Sequence, residues 1–347
     1  MLVIRPVAIA DLDDLLALAH KAGKGMTSLP TCPDALTQRI KISLDSFART
    51  APHADDYFLL VMEDLTCGKV VGTAAVYSQT GARQAFYAYR VMSVTHYSHS
   101  LGKQTRSEML HLTNDCTDCS EVGTLFLDPD YRGNGHWLSR ARYLLMGQFQ
   151  ERFQSHVIAE LRGWVDEQGQ SPFWNAIGEQ FFEMDFDTAD RLSGTGSNQF
   201  ITELMPKHPI YTCLLPQSAR DVIGKPNKDG IRAKELLEAE GFAFDKVVDI
   251  FDGGPLMKAR IDQIKSVRRI AEASAQIAHA SPRGKETLVA TDSLANFRVI
   301  HVPICAAGDG NLALTAEDLD LLGVEPGMRL RYIPSNYQQP IAKGEHL

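Results

Sequence analysis

The run Thr124-Leu125-Phe126-Leu127-Asp128-Pro129-Asp130-Tyr131-Arg132-Gly133-Asn134-Gly135 changes character twice within one short stretch. It opens as an apolar strand from Glu121 to Leu127 and is cut at Asp128-Pro129-Asp130, because proline cannot extend a ladder. A glycine loop, Tyr131 to Gly135, then enters a stretch with helical apolar spacing, Leu138 to Phe153. This order sets helix N-terminal amides beside the end of a strand, where amides and helix dipole together favour an anion such as a diphosphate. The same residues also satisfy a plain strand-to-helix turn whose glycines serve conformation alone, so the neighbouring elements have to decide.

Leu2 to Arg5 alternates as a strand, and Ile9 to Ala22 carries Leu12, Leu15, Leu16 and Leu18 on one helical face behind Asp11. A second helix is expected over Pro33 to Phe47. Tyr57 to Met62 and Val70 to Tyr77 form a hairpin across Asp64 to Lys69. Phe86 to Tyr97 reads as a strand, Ser98 to Ser120 as a polar loop, Val157 to Val165 as a strand and Pro172 to Phe182 as a helix. Helices follow at Gln217 to Ile223 and Ile231 to Glu240, the latter closed by Gly241. Val247 to Phe251 is a strand and Arg260 to Ile277 is helical in part. Ala275 to Lys285 is the linker candidate, and Thr287 to Ser335 gives short strands with a turn at Val324-Glu325-Pro326-Gly327. The expected class is α+β: a central mixed, mostly antiparallel sheet flanked by helices, with a small C-terminal β-rich lobe.

With 347 residues the chain exceeds the usual single-domain size. A net charge of -8 lacks the basic balance that nucleic acid or an anionic membrane would reward. The N-terminus has no apolar signal run and no 18-residue apolar stretch occurs, so a cytoplasmic protein without a membrane span is expected. Six scattered Cys fit reduced thiols. Cys116-Thr117-Asp118-Cys119, near His96, His99 and His111, has a metal-ligand spacing. A single such pair without a second reads as reduced, partly buried thiols, and no metal is expected. No P-loop, dinucleotide fingerprint or Gly-x-Ser-x-Gly elbow is present.

The order of these elements resembles the GNAT-like acyl-CoA N-acyltransferases. Five blocks, Thr27 to Pro30, Thr124 to Asp130, Asp166 to Trp174, Glu203 to Tyr211 and Asp249 to Pro255, are similar to the arginine N-succinyltransferase family. That resemblance implies succinyl-CoA as co-substrate, with no tightly bound cofactor, and L-arginine as acceptor. It implies that the strand before the loop and the strand at Val157 to Val165 splay apart, so that a pantetheine arm pairs with their open edges and an amide near Leu125 receives the oxyanion. Leu125, Phe126, Leu127, Arg132, Gly133, Asn134 and Gly135 are then the cofactor-binding candidates. By the same resemblance residues 1–200 form the acyl-CoA-binding domain, 201–275 complete the substrate side and 276–347 form the lobe. A homo- or hetero-oligomer with a related subunit fits the type.

Two departures stand out. The family's loop commonly has the form Arg-x-x-Gly-x-Gly, whereas Arg132-Gly133-Asn134-Gly135 is two residues shorter. The family's proton-donor histidine falls on Asn227, and an amide cannot exchange a proton near neutrality. Attack of the α-amine on the thioester still needs a proton acceptor; Asp229, His208, Glu160 and Glu121 are candidates, each also readable as a solvated, packed or salt-bridged residue. A guanidinium needs a carboxylate, preferably bidentate, and Glu121, Asp166, Glu167 and Asp252 can supply one or merely shape turns. Ornithine or another amine as acceptor, and a non-catalytic acyl-CoA-binding subunit, remain as alternative functions.

Overall fold

The computed structural model describes residues 1–23, 25–194, 199–278, 284–304, 306–307 and 310–334. Its strands are β1 (Leu2–Pro6), β2 (Tyr57–Asp64), β3 (Lys69–Tyr77), β4 (Ala88–Ser98), β5 (Lys103–Thr113), β6 (Ser120–Leu127), β7 (His156–Glu160) and β8 (Ile210–Tyr211). They continue with β9 (Ala243–Val248), β10 (Pro255–Arg260), β11 (Ala271–Ile277), β12 (Lys285–Thr291), β13 (Val299–Ile304), β14 (Ala306–Ala307), β15 (Asn311–Leu314) and β16 (Arg329–Ile333). All lie in one sheet, in the order β14-β15-β11-β16-β12-β13-β1-β2-β3-β6-β7-β10-β9-β4-β5-β8. Only β6 with β7 and β11 with β15 run parallel.

The middle of the sheet is buried on both faces, which is why β2 and β3 read as nearly continuous apolar runs. Tyr57, Leu59 and Val61 pack on Leu15, Leu18, Leu36 and Ile40 of helices α1 (Leu12–Ala22) and α2 (Pro33–Ala48). Phe58, Leu60 and Met62 share the opposite core with Leu138, Ala141 and Leu145 of α3 (Gly135–Gln148). The two-residue period of the strand thus feeds two separate cores. A third core, including Trp174, Phe182, Phe186 and Ile250, forms where the helices between Pro172 and Val222 cover β4 and β9.

The expected class is the observed one, and several local readings change. Ser98 to Ser120 is not a loop: β5 pairs with β4 at eleven positions from Ala88↔Thr113 to Ser98↔Lys103. The first half of β5 is solvent-exposed and only Leu110 is buried, so it lacks the apolar alternation that marks a half-buried strand. Arg260 to Ile277 is helical in part, as expected, over the 3-10 turn Ile261–Gln263 and the α-turn Lys265–Arg268, and it also supplies β11. In β11 the buried positions are Ala273 and Ala275, too small to signal a period. β9 stops at Val248 because the Asp249 carboxylate accepts the amides of Phe251 and Asp252 at 2.7 and 2.8 Å, closing a turn. The helix expected from Pro172 to Phe182 divides at Ile177 into Pro172–Ala176 and Gly178–Phe182.

The C-terminal β-rich region has its own core around Val289, Leu312 and Leu330. Its sheet nevertheless continues the central one, through Val3↔Ile300 and Ile4↔Val299. It also contains a helix, Ala316–Leu322, with a Thr315/Asp318 capping box. Residues 279–283 of the linker candidate lie outside the described residues. Among the described residues no helix is long and apolar enough to cross a membrane.

Candidate active site

β6 and β7 pair only at Ser120↔Val157 and Glu121↔Ile158, then diverge. From that fork onward β6 keeps a partner on one edge alone, β3. Opposite Ala74 its ladder slips by one residue between Gly123 and Phe126, so Thr124 and Leu125 form a β-bulge. Thr124 has φ 53°, a left-handed conformation costing a β-branched residue on the order of 1 kcal/mol. Beyond the bulge the Asp128 amide donates to Val71 O at 2.8 Å. By alternation the peptide groups of Phe126 also face β3 and those of Leu127 face the fork, with Leu125 between them and the bulge. A donor for a carbonyl oxygen, on an unpaired strand edge, is thereby fixed in the backbone.

Four carboxyl groups gather at this fork. Glu121 stands at the last paired position of β6 and Glu160 ends β7. Asp249 and Asp252 come from the turn between β9 and β10, whose Pro255 side lies against the exit of β7. Asp252 is 1% exposed; it accepts the Gly254 amide at 2.8 Å and pairs with Arg162 Nε at 3.2 Å. Arg162 in turn lies over the Phe186 ring at 5.0 Å. Burial raises the Asp249 carboxyl to about 8, assisted by repulsion from Asp252. Burial likewise raises Glu121 to about 7. Glu160 is pushed well above the usual carboxyl range by burial and by Glu121, Asp249 and Asp252. Glu160 is nonetheless exposed to solvent, so the cluster is not a sealed core. Arg39 of α2 and Arg162 pull in the opposite direction. Acids crowded together in this way are a site for a cation, whose approach favours their ionised forms.

At the other end of β6, Asp128 accepts the Asp130 amide and an ion pair from Lys21, which fixes the break. Gly133 has φ 103°, a conformation that favours glycine. Among the described residues the amides of Gly133, Gly135 and His136 donate to no protein acceptor, so the start of α3 offers three N–H groups to an anion.

The remaining predicted residues separate. Leu125, Phe126 and Leu127 line the bulged strand, with Arg132, Gly133, Asn134 and Gly135 in the loop that follows. Asn227 is tied down: its amide donates to Arg162 O at 2.8 Å and its Oδ1 accepts the Gly230 amide at 2.6 Å, which starts the helix Gly230–Glu240. Asp229 is exposed at the N-cap of that helix and makes no side-chain cap bond. Asp166 accepts the amides of Gln168 and Gln170 and shapes a turn, with Glu167 exposed beside it. His208 is exposed just before β8, and no hydrogen bond or ion pair among the described residues joins it to the acids. Asp249, Arg162, Arg39 and the buried Arg142 were not among the predicted residues. Asp249 could have been noticed from its place three residues before Asp252 in Asp249-Ile250-Phe251-Asp252-Gly253-Gly254-Pro255; the arginines carry no local signal.

A parallel strand pair that splays beside a bulge, with a glycine loop and helix start at its far end, lies at the centre of this α+β fold, whose mixed sheet is flanked by helices. Sequence models described as "Arginine N-succinyltransferase beta subunit" and its C-terminal domain match residues 2–266 and 269–334, and the chain belongs to this family. Proteins named arginine N-succinyltransferase from Escherichia coli (strain 55989 / EAEC) and Escherichia fergusonii are each 41% identical over 338 residues, 96% of this chain and 97% of theirs. The solved structure of arginine/ornithine succinyltransferase subunit AI from Pseudomonas aeruginosa is 33% identical, with a TM-score of 0.87 over 96% of this chain and 98% of that one.

Proposed function

We propose that this protein transfers the succinyl group of succinyl-CoA to the α-amine of L-arginine, releasing N2-succinyl-L-arginine and CoA. The carrying observation is the convergence of Glu121, Glu160, Asp249 and Asp252 on the fork where β6 parts from β7 beside the bulge at Leu125. The ammonium and guanidinium groups of arginine would meet four acids at the point where a thioester would lie.

In this reading the pantetheine arm pairs with the open edges of β6 and β7, and the diphosphate takes the free amides of Gly133, Gly135 and His136. The Asp252 side of the cluster pairs with the guanidinium. A carboxylate with a raised pKa, Asp249 or Glu160, accepts the proton of the α-ammonium. The free amine attacks the thioester carbon, the oxyanion receives the Leu125 N–H, and collapse breaks the C–S bond. The nitrogen's second proton passes to solvent, the CoA thiolate takes one from solvent, and the product amide keeps the third. In this reading residues 1–200 hold the thioester, and residues 201–275 add Asp249 and Asp252.

Purified protein mixed with succinyl-CoA and arginine should release free thiol at a rate that saturates with arginine. Absence of arginine-dependent thiol, or faster release with ornithine, would sink the assignment. One observation favours a second reading, a subunit that binds acyl-CoA without turnover: Oδ1 of Asn227 is already engaged by Gly230. Calorimetric binding of succinyl-CoA without thiol release would select it. We also infer a reducing, cytoplasmic setting, supported by the buried Cys116 thiol that burial pushes up to about 11, which cell fractionation tests. The exposed Tyr97 and Leu101 on the β4-β5 ribbon support assembly with further copies or a related subunit, which light scattering would distinguish.

A further inference from the structure

A cavity of about 350 Å³ opens between the first turns of α3, the helix Lys265–Arg268 and β12, apart from the acid cluster. That volume falls in the range of small-ligand sites. Its wall carries four cations, Arg140, Lys265, Arg269 and Lys285, against one acid, Glu286. Arg140 is held by Glu240 at 3.0 Å. Lys265 and Arg269, four residues apart and so on one side of their turn, meet no carboxylate among the described residues. Glu286 faces His301 Nε2 at 3.4 Å.

The same wall is aromatic. Trp137 stacks on His301 at 3.6 Å between centroids and meets the His136 ring at 4.0 Å. Burial lowers both histidines to about 4, with Arg140 adding to the effect at His136 and His136 at His301, so both rings are neutral near pH 7. Flat neutral rings suit a purine, and the neighbouring cations Lys265 and Arg269 suit a phosphate monoester. The cavity begins at His136, where the free amides of the loop end.

We propose that this cavity receives a phosphorylated adenosine, the 3′-phosphoadenosine end of the acyl-CoA, with Lys265 and Arg269 holding the 3′-phosphate. The assignment rests on the succinyl-CoA reading, since it takes the diphosphate on the adjacent amides as its anchor. It also supplies what the shortened loop lacks, by moving part of the recognition of CoA from the loop to side chains of the C-terminal third.

The test compares succinyl-CoA with succinyl-dephospho-CoA, which lacks only the 3′-phosphate. The ratio of their kcat/KM values should exceed about tenfold in the wild type and fall to near one in Lys265→Ala/Arg269→Ala, whose exposed positions spare the fold. A double variant that keeps the wild-type ratio overturns the proposal. Adenosine 3′,5′-bisphosphate separates the two possible sources of the group. Inhibition competitive with succinyl-CoA supports the CoA assignment, and inhibition that is not competitive overturns it in favour of a free nucleotide. If the chain turns over no arginine, calorimetry with the bisphosphate still decides: binding lost in the double variant supports the cavity, and equal binding rejects it.

Discussion

The Arg142 guanidinium reaches from α3 to the back of the bulged strand, with Nη1 3.4 Å from the carbonyl oxygen of Gly123. It is 2% exposed, donates to Ser139 O at 3.2 Å and to Ser139 Oγ at 2.8 Å, and has no ion-pair partner among the described residues. Burial lowers its pKa from the usual arginine value. A cation therefore lies directly behind the bulge that holds Leu125, and it favours negative charge developing there.

Replacing that cation should be felt twice. Arg142→Met leaves the Gly123 carbonyl without this donor in a buried setting and should cost roughly 1–3 kcal/mol in urea denaturation. It should lower kcat more than it raises KM for arginine. Unchanged kcat in a folded variant would remove Arg142 from the account.

The turn bearing Asp249 and Asp252 is wedged against the end of β7. A Cβ on Gly254 would lie 2.1 Å from Leu161 O and 2.6 Å from Gly163 N, both backbone atoms. Gly254→Ala must push the two segments apart, and we expect a loss of roughly 1–3 kcal/mol or more together with loss of activity. Gly102, with φ 56° and nothing within 4 Å, is the control: its alanine variant bears only backbone strain, about 1 kcal/mol, and keeps activity. Equal thermal shifts in the two variants would refute the wedge.

Carboxyls raised to about 7 at Glu121 and about 8 at Asp249 bind protons in the folded chain that the unfolded chain releases near pH 4. Their contribution to stability is complete below that unfolded value and is lost as pH rises through the folded values. Thermal melts should drop between pH 5 and pH 8.5 in buffer, and arginine should lessen the drop by favouring the ionised acids. The rate, needing an ionised acceptor, should rise over pH 7 to 8. Melting points that climb over this range would contradict the burial of these acids.

Asp252→Asn keeps an oxygen for the Gly254 amide but withdraws one of the charges that raise Asp249 and Glu160. The acid limb of the activity profile should move to lower pH, and KM for arginine should rise by about tenfold. An unmoved limb would separate Asp252 from the cluster electrostatically.

Much of the scaffold is legible one residue at a time. The apolar run of β2, Pro33 at the start of α2, the break at Asp128-Pro129 and the glycines before α3 each announce their element through local sterics or period. β5 was illegible because its ladder hydrogen bonds stabilise an exposed ribbon that needs no apolar face. β11 was illegible because alanines carry its buried side. Within the site, Leu125 and the loop glycines followed from pattern and resemblance, while Arg162 and Arg142 did not, since a buried arginine looks like any other until its surroundings are known.

The sequence alone determined the local grammar, a strand that must end at proline and a helix that must begin after glycine, because backbone sterics act over a few residues. It also carried the family-like blocks. Only the tertiary structure decided that Glu121, Glu160, Asp249 and Asp252 share one cleft and that Lys265 and Arg269 face the start of α3. Charge interactions depend on distance in space and on the solvent excluded around them, and sheet pairing between residues far apart in the chain sets both.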